Sequence, residues 1–467
     1  MRLESFEDWF AVRPNHSDED EHLAGRLKFD LEDGIYLETI RFCGGAEHLQ
    51  KPLIKGETLT GWLNYQQPTT LIRPWIQSFG GLQMGINTIA LKENQRFVAA
   101  AILKNVFLED VKAPIFTGLK VEHPALHAWI NPCLVAQDST FLPELGLPAL
   151  SVDIQSPQKR VLTLSDKTEA TVISTTRISG GSSRRLEDYT TLELRFPEPL
   201  GFDAINRVIW RISSLFEFLI GARTQASVHL LPTTQLREWN GEERHVVAEL
   251  WYRPIARKRR RSSPPNEHSC FMLEKRSPIS MEDLLSHITG ASDETMYLAS
   301  VIQSVEDGDL SIDQGYGELL GCLEAFDERT FGSGADENFK ANMKRLRDLV
   351  DQHGNVVDVE FFKRIQSSAS NKFSLLKRLE RLHRHWVEDG FRGSPNLQRI
   401  RDLRNLVPHG RGLEVSSEVA KEMVIYNQYL AALGRYHVLK ALGFTRQTIE
   451  TAFLSQPNRY GMYTSRR

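Results

Sequence analysis

The sequence predicts an α+β multidomain protein: a β-rich N-terminal half, a sandwich or distorted barrel with one covering helix, and an all-α helical bundle at the C-terminus. Three observations carry this prediction. In the first half, short apolar runs alternate with polar residues and are separated by Gly and Pro, the period-two pattern of half-buried strands. After Ser280 the apolar residues recur instead at spacings of three and four, which puts them on one face of a helix. The length, 467 residues, exceeds one ordinary core, since domains run to roughly 100 to 200 residues.

In chain order, Arg26 to Phe42 reads RLKFDLEDGIYLETIRF, with Leu27, Phe29 and Leu31 alternating with polar residues before Asp33-Gly34 and a second β-rich run. Asp-Gly tolerates the positive φ angles of a tight primed turn, so this stretch predicts a hairpin. Asn240-Gly241, between Leu236 and the run HVVAELWY, predicts another. From Gly56 to Leu200 the short runs bounded by Gly and Pro suit a sandwich or barrel. The one helix among them is FDAINRVIWRISSLFEFLIGAR, whose Ile205, Ile209, Ile212, Phe216 and Leu219 share a face suited to covering the sheet. Ile255 to His268, IARKRRRSSPPNEH, then breaks every period with a charge run followed by Ser, Pro and Asn, the composition of a surface loop. It sets the expected division into residues 1–270, β-rich, and 271–467, α-helical.

Helices are expected at 292–306, 312–330, 337–352, 359–386, 395–407 and 418–442, with a short one at 446–454. In the fourth, Phe373, Leu376, Leu379, Leu382 and Trp386 form an apolar stripe, and Lys377, Arg378, Arg381 and Arg384 decorate the other side. The net charge of −3 is unevenly spread. From Pro278 to Asp336 there are 13 acidic residues and one basic residue, Arg329; from Glu337 to the end there are 13 acidic and 23 basic. The basic last third suits a polyanion, although charged residues also serve simply as solvated helix faces.

With 41% apolar and 25% charged residues, the chain has the composition of a globular protein able to bury a core, not of a disordered one. No apolar run approaches the roughly 18 residues of a membrane span, and MRLESFEDWF has neither the basic start nor the apolar stretch of a signal peptide. The expectation is a cytoplasmic protein with no membrane partner. Cys43, Cys133, Cys270 and Cys322 are too scattered for a CxxC pair or a zinc cluster, and read as reduced structural thiols. Neither GxxxxGK[ST], HExxH nor GxSxG occurs, so nucleotide hydrolysis, zinc proteolysis and the hydrolase elbow lack their anchors.

One segment resists a purely structural reading: RDLRNLVPHGRG, Arg401 to Gly412. Its helix is expected to start at the Ser394 cap with Pro395 in the first turn, and to bury Leu397, Ile400, Leu403 and Val407. Arg404 then falls at the edge of the buried stripe, a costly place for a permanent cation. Pro408 has no N–H for the carbonyl of residue 404, so the helix ends or kinks there, and Gly410 and Gly412 let the backbone turn away. In an unbroken helix, residues five apart point about 140° from each other; the break lets His409 swing back towards Arg404. A guanidinium to hold anionic oxygen, the Asn405 amide to orient a neighbour and an imidazole to move protons suit attack on an RNA phosphodiester, with no metal or cofactor required. Spacing alone decides little, because Arg and His recur similarly elsewhere, as at Arg378 and His383. The plainer alternative is a helix C-terminus whose histidine caps carbonyls.

The stretch RNLVPHG resembles the R-N-x-x-x-H signature of HEPN-domain ribonucleases, and the whole chain resembles the ApeA-like HEPN proteins of bacterial anti-phage defence. The resemblance extends over the β-rich half with its G-x-L opening at Gly25 to Leu27, the FEFLIGAR helix and the helical C-terminus. It implies a metal-independent endoribonuclease that works as a homodimer, with the β-half regulating or sensing; beside it stand the expectations of abortive infection as the outcome, of tRNA as one RNA that it could cut and of a phage-derived protein as one partner that could activate it. Arg404 and His409 would be catalytic, Asn405 supporting and Glu324, in LLGCLEAF, an acidic accessory; otherwise Glu324 is an ordinary half-exposed helix residue. Lys377, Arg381 and Arg384 would bind RNA phosphates. Two other readings stand beside this one: a non-catalytic HEPN module binding RNA or protein, and a β-sandwich recognition protein whose bundle only dimerises it.

Overall fold

The computed structural model describes residues 5–12, 24–30, 34–43, 57–79, 83–84, 91–132, 134–142, 147–179, 185–232, 236–239, 242–252, 270–332, 339–353, 358–362, 373–406 and 416–464. The chain forms two compact units, residues 1–276 with 280–290, and residues 277–279 with 291–467. The first is built on β-strands and the second on helices, as the two periodicities require.

In the first unit, fifteen strands form one sheet that runs from Gln158–Thr163 at one end to Trp75–Phe79 at the other. Its strand pairs are antiparallel. Alternation does what the sequence predicts: Leu27 and Phe29 are buried, and they join Phe10, Ile35, Leu37, Phe97, Ile102 and Trp251 in an apolar core. Gly25 shares their face, and there a Cβ would lie 2.1 Å from the Glu38 carbonyl oxygen of the next strand, so only glycine fits. The hairpin at Asp33-Gly34 forms, but Asp30 pairs with Gly34, so the connection is residues 31–33 and not a two-residue turn on Asp33-Gly34. Gly34 nonetheless has φ +93°, the conformation for which glycine was read. Trp239 pairs with Glu242 across Asn240-Gly241, and the turn itself lies outside the described residues.

Among the described residues, two helices and not one interrupt the run of strands: α1, Pro124–Ile130, and α2, Phe202–Ile220. The sequence hid α1 because its N-cap is His123, whose Nδ1 accepts the Ala125 N–H, instead of the usual Ser, Thr, Asp or Asn. On α2 the expected Ile205, Ile209, Ile212, Phe216 and Leu219 are all buried, and Phe216 packs against Trp129 of α1. A third helix, α3, Met281–Gly290, follows the division expected at 270/271 yet packs on α2. The Arg211 guanidinium holds it there by donating to the carbonyls of Ile288 and Thr289 at 2.9 and 3.0 Å.

The second unit contains α4, Asp293–Glu306; α5, Ile312–Phe331; α6, Phe339–His353; α7, Leu375–Glu388; α8, Leu397–Leu406; α9, Ser417–Ala441; and α10, Arg446–Ser455. Helices α4, α5 and α9 pack on one another, α7 packs on α5 and α9, and α8 on α7 and α9. Residues 359–386 are not one helix. Ser374 is extended at ψ 158° and caps α7 by accepting the Lys377 N–H, which fixes a fresh start at Leu375. Likewise α8 starts two residues later than expected, because the Asn396 Oδ1 accepts the Arg399 N–H at 2.9 Å and so takes the capping role given to Ser394.

The inward face of α7 also differs from the reading by hydropathy. Leu375, Arg378, Leu379, Leu382 and Trp386 are buried, so Arg378 sits in the interior instead of on the solvated side, while Leu376 is only half-buried. Carboxylates on α5 make this placement tolerable.

Candidate functional site

Helix α8 carries the first residues of the motif, and its position is fixed from beneath. Ile400 and Leu403 are fully buried, and the Tyr316 hydroxyl of α5 donates to the Ile400 carbonyl at 2.6 Å. One turn beyond Ile400, the same face brings Arg404 beside α5, where its Nη2 lies 3.4 Å from Glu324 Oε2. Their side chains are 41% and 31% exposed, so the pair stands at the surface where a ligand can reach it. Asn405 is exposed at the end of α8. His409 lies outside the described residues, as do Val407, Pro408, Gly410 and Gly412. The structure thus brings together two of the expected site residues, Arg404 and Glu324.

Behind Glu324 lies Arg378, only 2% exposed. Its Nε donates to the Phe373 carbonyl at 3.1 Å, Nη1 to the Glu324 carbonyl at 3.3 Å and Nη2 to Glu328 Oε2 at 3.1 Å. Asp327 Oδ2 is 3.6 Å from Nη1, and Glu324 Oε1 is 3.9 Å from Nε. Asp327 is itself completely buried and takes both arms of the Arg381 guanidinium, with Nε at 2.8 Å. Arg381 also donates to the carbonyls of Phe331 and Gly332. Three carboxylates of α5 therefore meet three guanidinium groups from α7 and α8. A buried carboxylate is tolerated only when paired and hydrogen-bonded, and the arginine forks supply both. Part of the charge asymmetry between residues 278–336 and the rest of the chain is thus answered internally.

This changes the roles open to the basic residues of α7. Lys377 and Arg384 are exposed, with the Lys377 ammonium 5.5 Å from the Phe373 ring, whereas Arg381 is already engaged by Asp327. Arg378 and His383 do not form a second Arg-His site: Arg378 faces α5, while His383 Nδ1 meets the Tyr429 hydroxyl of α9 at 2.8 Å. Burial lowers the His383 pKa, which keeps it neutral. Sequence reasoning missed the inward placement of Arg378, and it missed Asp327 and Tyr316 altogether. The available signal was the spacing of Glu324, Asp327 and Glu328 at i, i+3 and i+4, which puts three acids on one face of α5 and calls for cations opposite.

Elsewhere the chemistry is quieter. In the first unit, His123 Nε2 lies 3.2 Å from Ser213 Oγ, but Nδ1 accepts a backbone N–H, so the proton sits on Nε2 and the ring cannot take one from the serine. Cys270 and Cys322 are buried free thiols, and burial pushes Cys322 up to about 12, far from a thiolate. Among the described residues no group of three or more His, Cys, Asp or Glu could hold a metal ion, and no helix is long and apolar enough to cross a membrane.

No curated protein and no solved structure matches the chain. Residues 8–287 match the family model described as ApeA N-terminal domain 1, a span that takes in nearly all of the sheet with α1, α2 and most of α3, and that ends ahead of the helices carrying Arg404. Because that span exceeds half of its length, the chain belongs to the family of ApeA-like proteins.

Proposed function

We propose that this ApeA-like protein is a metal-independent endoribonuclease of anti-phage defence, acting by abortive infection. The observation that carries the reading is Arg404 itself: a permanent cation set on a firmly anchored helix, at the surface, beside a carboxylate, at the first position of the Arg-Asn-x-x-x-His run. In the proposed reaction the RNA 2'-hydroxyl attacks its adjacent phosphate, and the bond from phosphorus to the 5'-oxygen of the next nucleotide breaks. His409 transfers the protons, Asn405 orients, and Arg404 stabilises the extra charge on the phosphorane. The products are a 2',3'-cyclic phosphate and a 5'-hydroxyl. DNA is excluded because it lacks the nucleophile. The protein works as a homodimer in which two Arg-Asn-His sets meet, tRNA is a fitting substrate, and a phage-derived protein sensed by the β-half is the activating partner.

The test is to incubate the purified protein with total RNA, with and without extract of phage-infected cells, in excess EDTA. Cleavage is expected to persist in the chelator and to spare RNA carrying 2'-deoxyribose at the cut. Activity that dies in EDTA and returns with magnesium or manganese overturns the mechanism. RNA retained but uncut in both arms points to the non-catalytic binding module instead.

Lys377 and Arg384 are proposed to set affinity and not chemistry, since exposed cations neutralise phosphates without reaching the cut. Changing both to Gln is expected to flatten the dependence of log K on log salt by about 0.7 for each lost contact on single-stranded RNA. An unchanged slope in a filter-binding series returns them to a solvated helix face.

A further inference from the structure

We propose that Arg378 is a positioning residue, one that fixes Glu324 and, through it, the direction of the Arg404 guanidinium. This rests on the ribonuclease reading above. The two oxygens of Glu324 face different arginines, Oε1 towards Arg378 at 3.9 Å and Oε2 towards Arg404 at 3.4 Å. Those arginines differ in freedom. Arg404 is a long side chain, 41% exposed at the last turn of α8, with many rotamers open to it. Arg378 is 2% exposed and held by the Phe373 carbonyl, the Glu324 carbonyl and Glu328 together.

An exposed ion pair alone restrains little, but Glu324 is also drawn from behind: its backbone carbonyl accepts from Arg378 Nη1 at 3.3 Å, and its Oε1 lies 3.9 Å from the buried guanidinium's Nε, a charge contact that favours one direction of the carboxylate. Structural needs do not require the link to Glu324. Asp327 is satisfied by Arg381, and Glu328 gives Arg378 a closer carboxylate. What the Glu324 contact adds is a defined orientation for the one cation that points outward from the network. Such orientation matters most where charge develops in the transition state, so it should act on kcat and leave ground-state RNA binding nearly untouched.

The experiment is a double-mutant cycle in the full-length protein. Arg378→Lys keeps a charge in the nest, but an ammonium cannot span the Phe373 carbonyl, Glu324 and Glu328 at once. It is expected to lower kcat on the order of 10- to 100-fold, the range for a misplaced catalytic group, with KM little changed. In a Glu324→Gln background the same change should have almost no further effect, whereas Glu328→Gln should leave kcat near wild type. Effects of Arg378→Lys and Glu324→Gln that simply multiply, or a Glu328→Gln variant as poor as Arg378→Lys, overturn the proposal and leave Arg378 a structural residue.

If Arg378→Lys does not fold, Glu324→Asp decides the matter. It draws the half-exposed carboxylate back by one methylene, and should reproduce the kcat loss without weakening RNA binding. Should the wild-type protein cleave no RNA under any condition, the ribonuclease reading falls by itself. The positioning proposal is then read from the side-chain Nε–H resonance of Arg404, assigned by its loss in Arg404→Lys. Arg378→Lys should shift and broaden that signal and Glu328→Gln should not; an unchanged signal in Arg378→Lys overturns the proposal independently of activity.

Discussion

Replacing His409 with Ala is expected to lower the rate of RNA cleavage by about 100- to 10,000-fold while the protein stays folded and continues to bind RNA. The size follows from the role: an imidazole with a reference pKa near 6.5 exchanges protons readily at cellular pH, and removing it leaves only water for the transfer. Three other histidines of the bundle, on α7 and α9, are poor substitutes. His437 is buried among the rings of Phe326, Phe331, His385 and Tyr436, its Nε2–H donates to the Leu382 carbonyl, and burial drives its pKa down to about 3, so it stays neutral throughout the working range. His383 is lowered by burial and engaged with Tyr429, and His385 stacks on Phe331 with ring centroids 4.8 Å apart. Single-turnover rates across pH provide the measurement, with His409→Gln as a second variant. A folded His409→Ala protein cleaving at the wild-type rate moves the chemistry to another part of the chain.

The legible parts of this chain are those in which one local period suffices. Leu27 and Phe29 alternate with polar residues and are buried; Ile205, Ile209, Ile212, Phe216 and Leu219 recur at helical spacing and face the interior. What escaped the sequence depends on partners far away along the chain. Hydropathy puts an arginine outside, so Arg378 was assigned to the solvated side of α7, and only the three acids of α5, some fifty positions earlier, make its burial affordable. The same network takes Arg381 out of the set of cations with room for a phosphate. Helix α1 escaped because a histidine side chain caps it, a role that propensity does not assign to histidine. At the candidate site, Arg404 and Glu324 were each legible as chemistry, the first from its place beside an apolar stripe and the second through family resemblance. Their contact was not, because it joins helices eighty residues apart and is set by the Tyr316 link between α5 and α8.

That contact shapes the second large effect. Arg404→Ala is expected to reduce cleavage by about 100- to 1,000-fold, the loss that follows removal of one group stabilising a transition-state oxyanion. Stability should change by about 1 kcal/mol or less, since the Arg404–Glu324 pair is 41% and 31% exposed and such pairs contribute little to folding. Glu324 is not left stranded, because Arg378 stands on its other side. Activity and stability therefore separate at this residue, which makes the variant informative. Arg404→Lys refines the test: it keeps the charge but loses the planar fork that can hold Glu324 and a phosphate oxygen at the same time, so its rate should fall between those of Arg404→Ala and the wild type. The measurement pairs thermal unfolding with single-turnover cleavage of one defined RNA. A folded Arg404→Ala protein with the wild-type rate removes Arg404 from the chemistry. A large loss of stability without Arg404 would instead make the guanidinium a structural tie between α5 and α8.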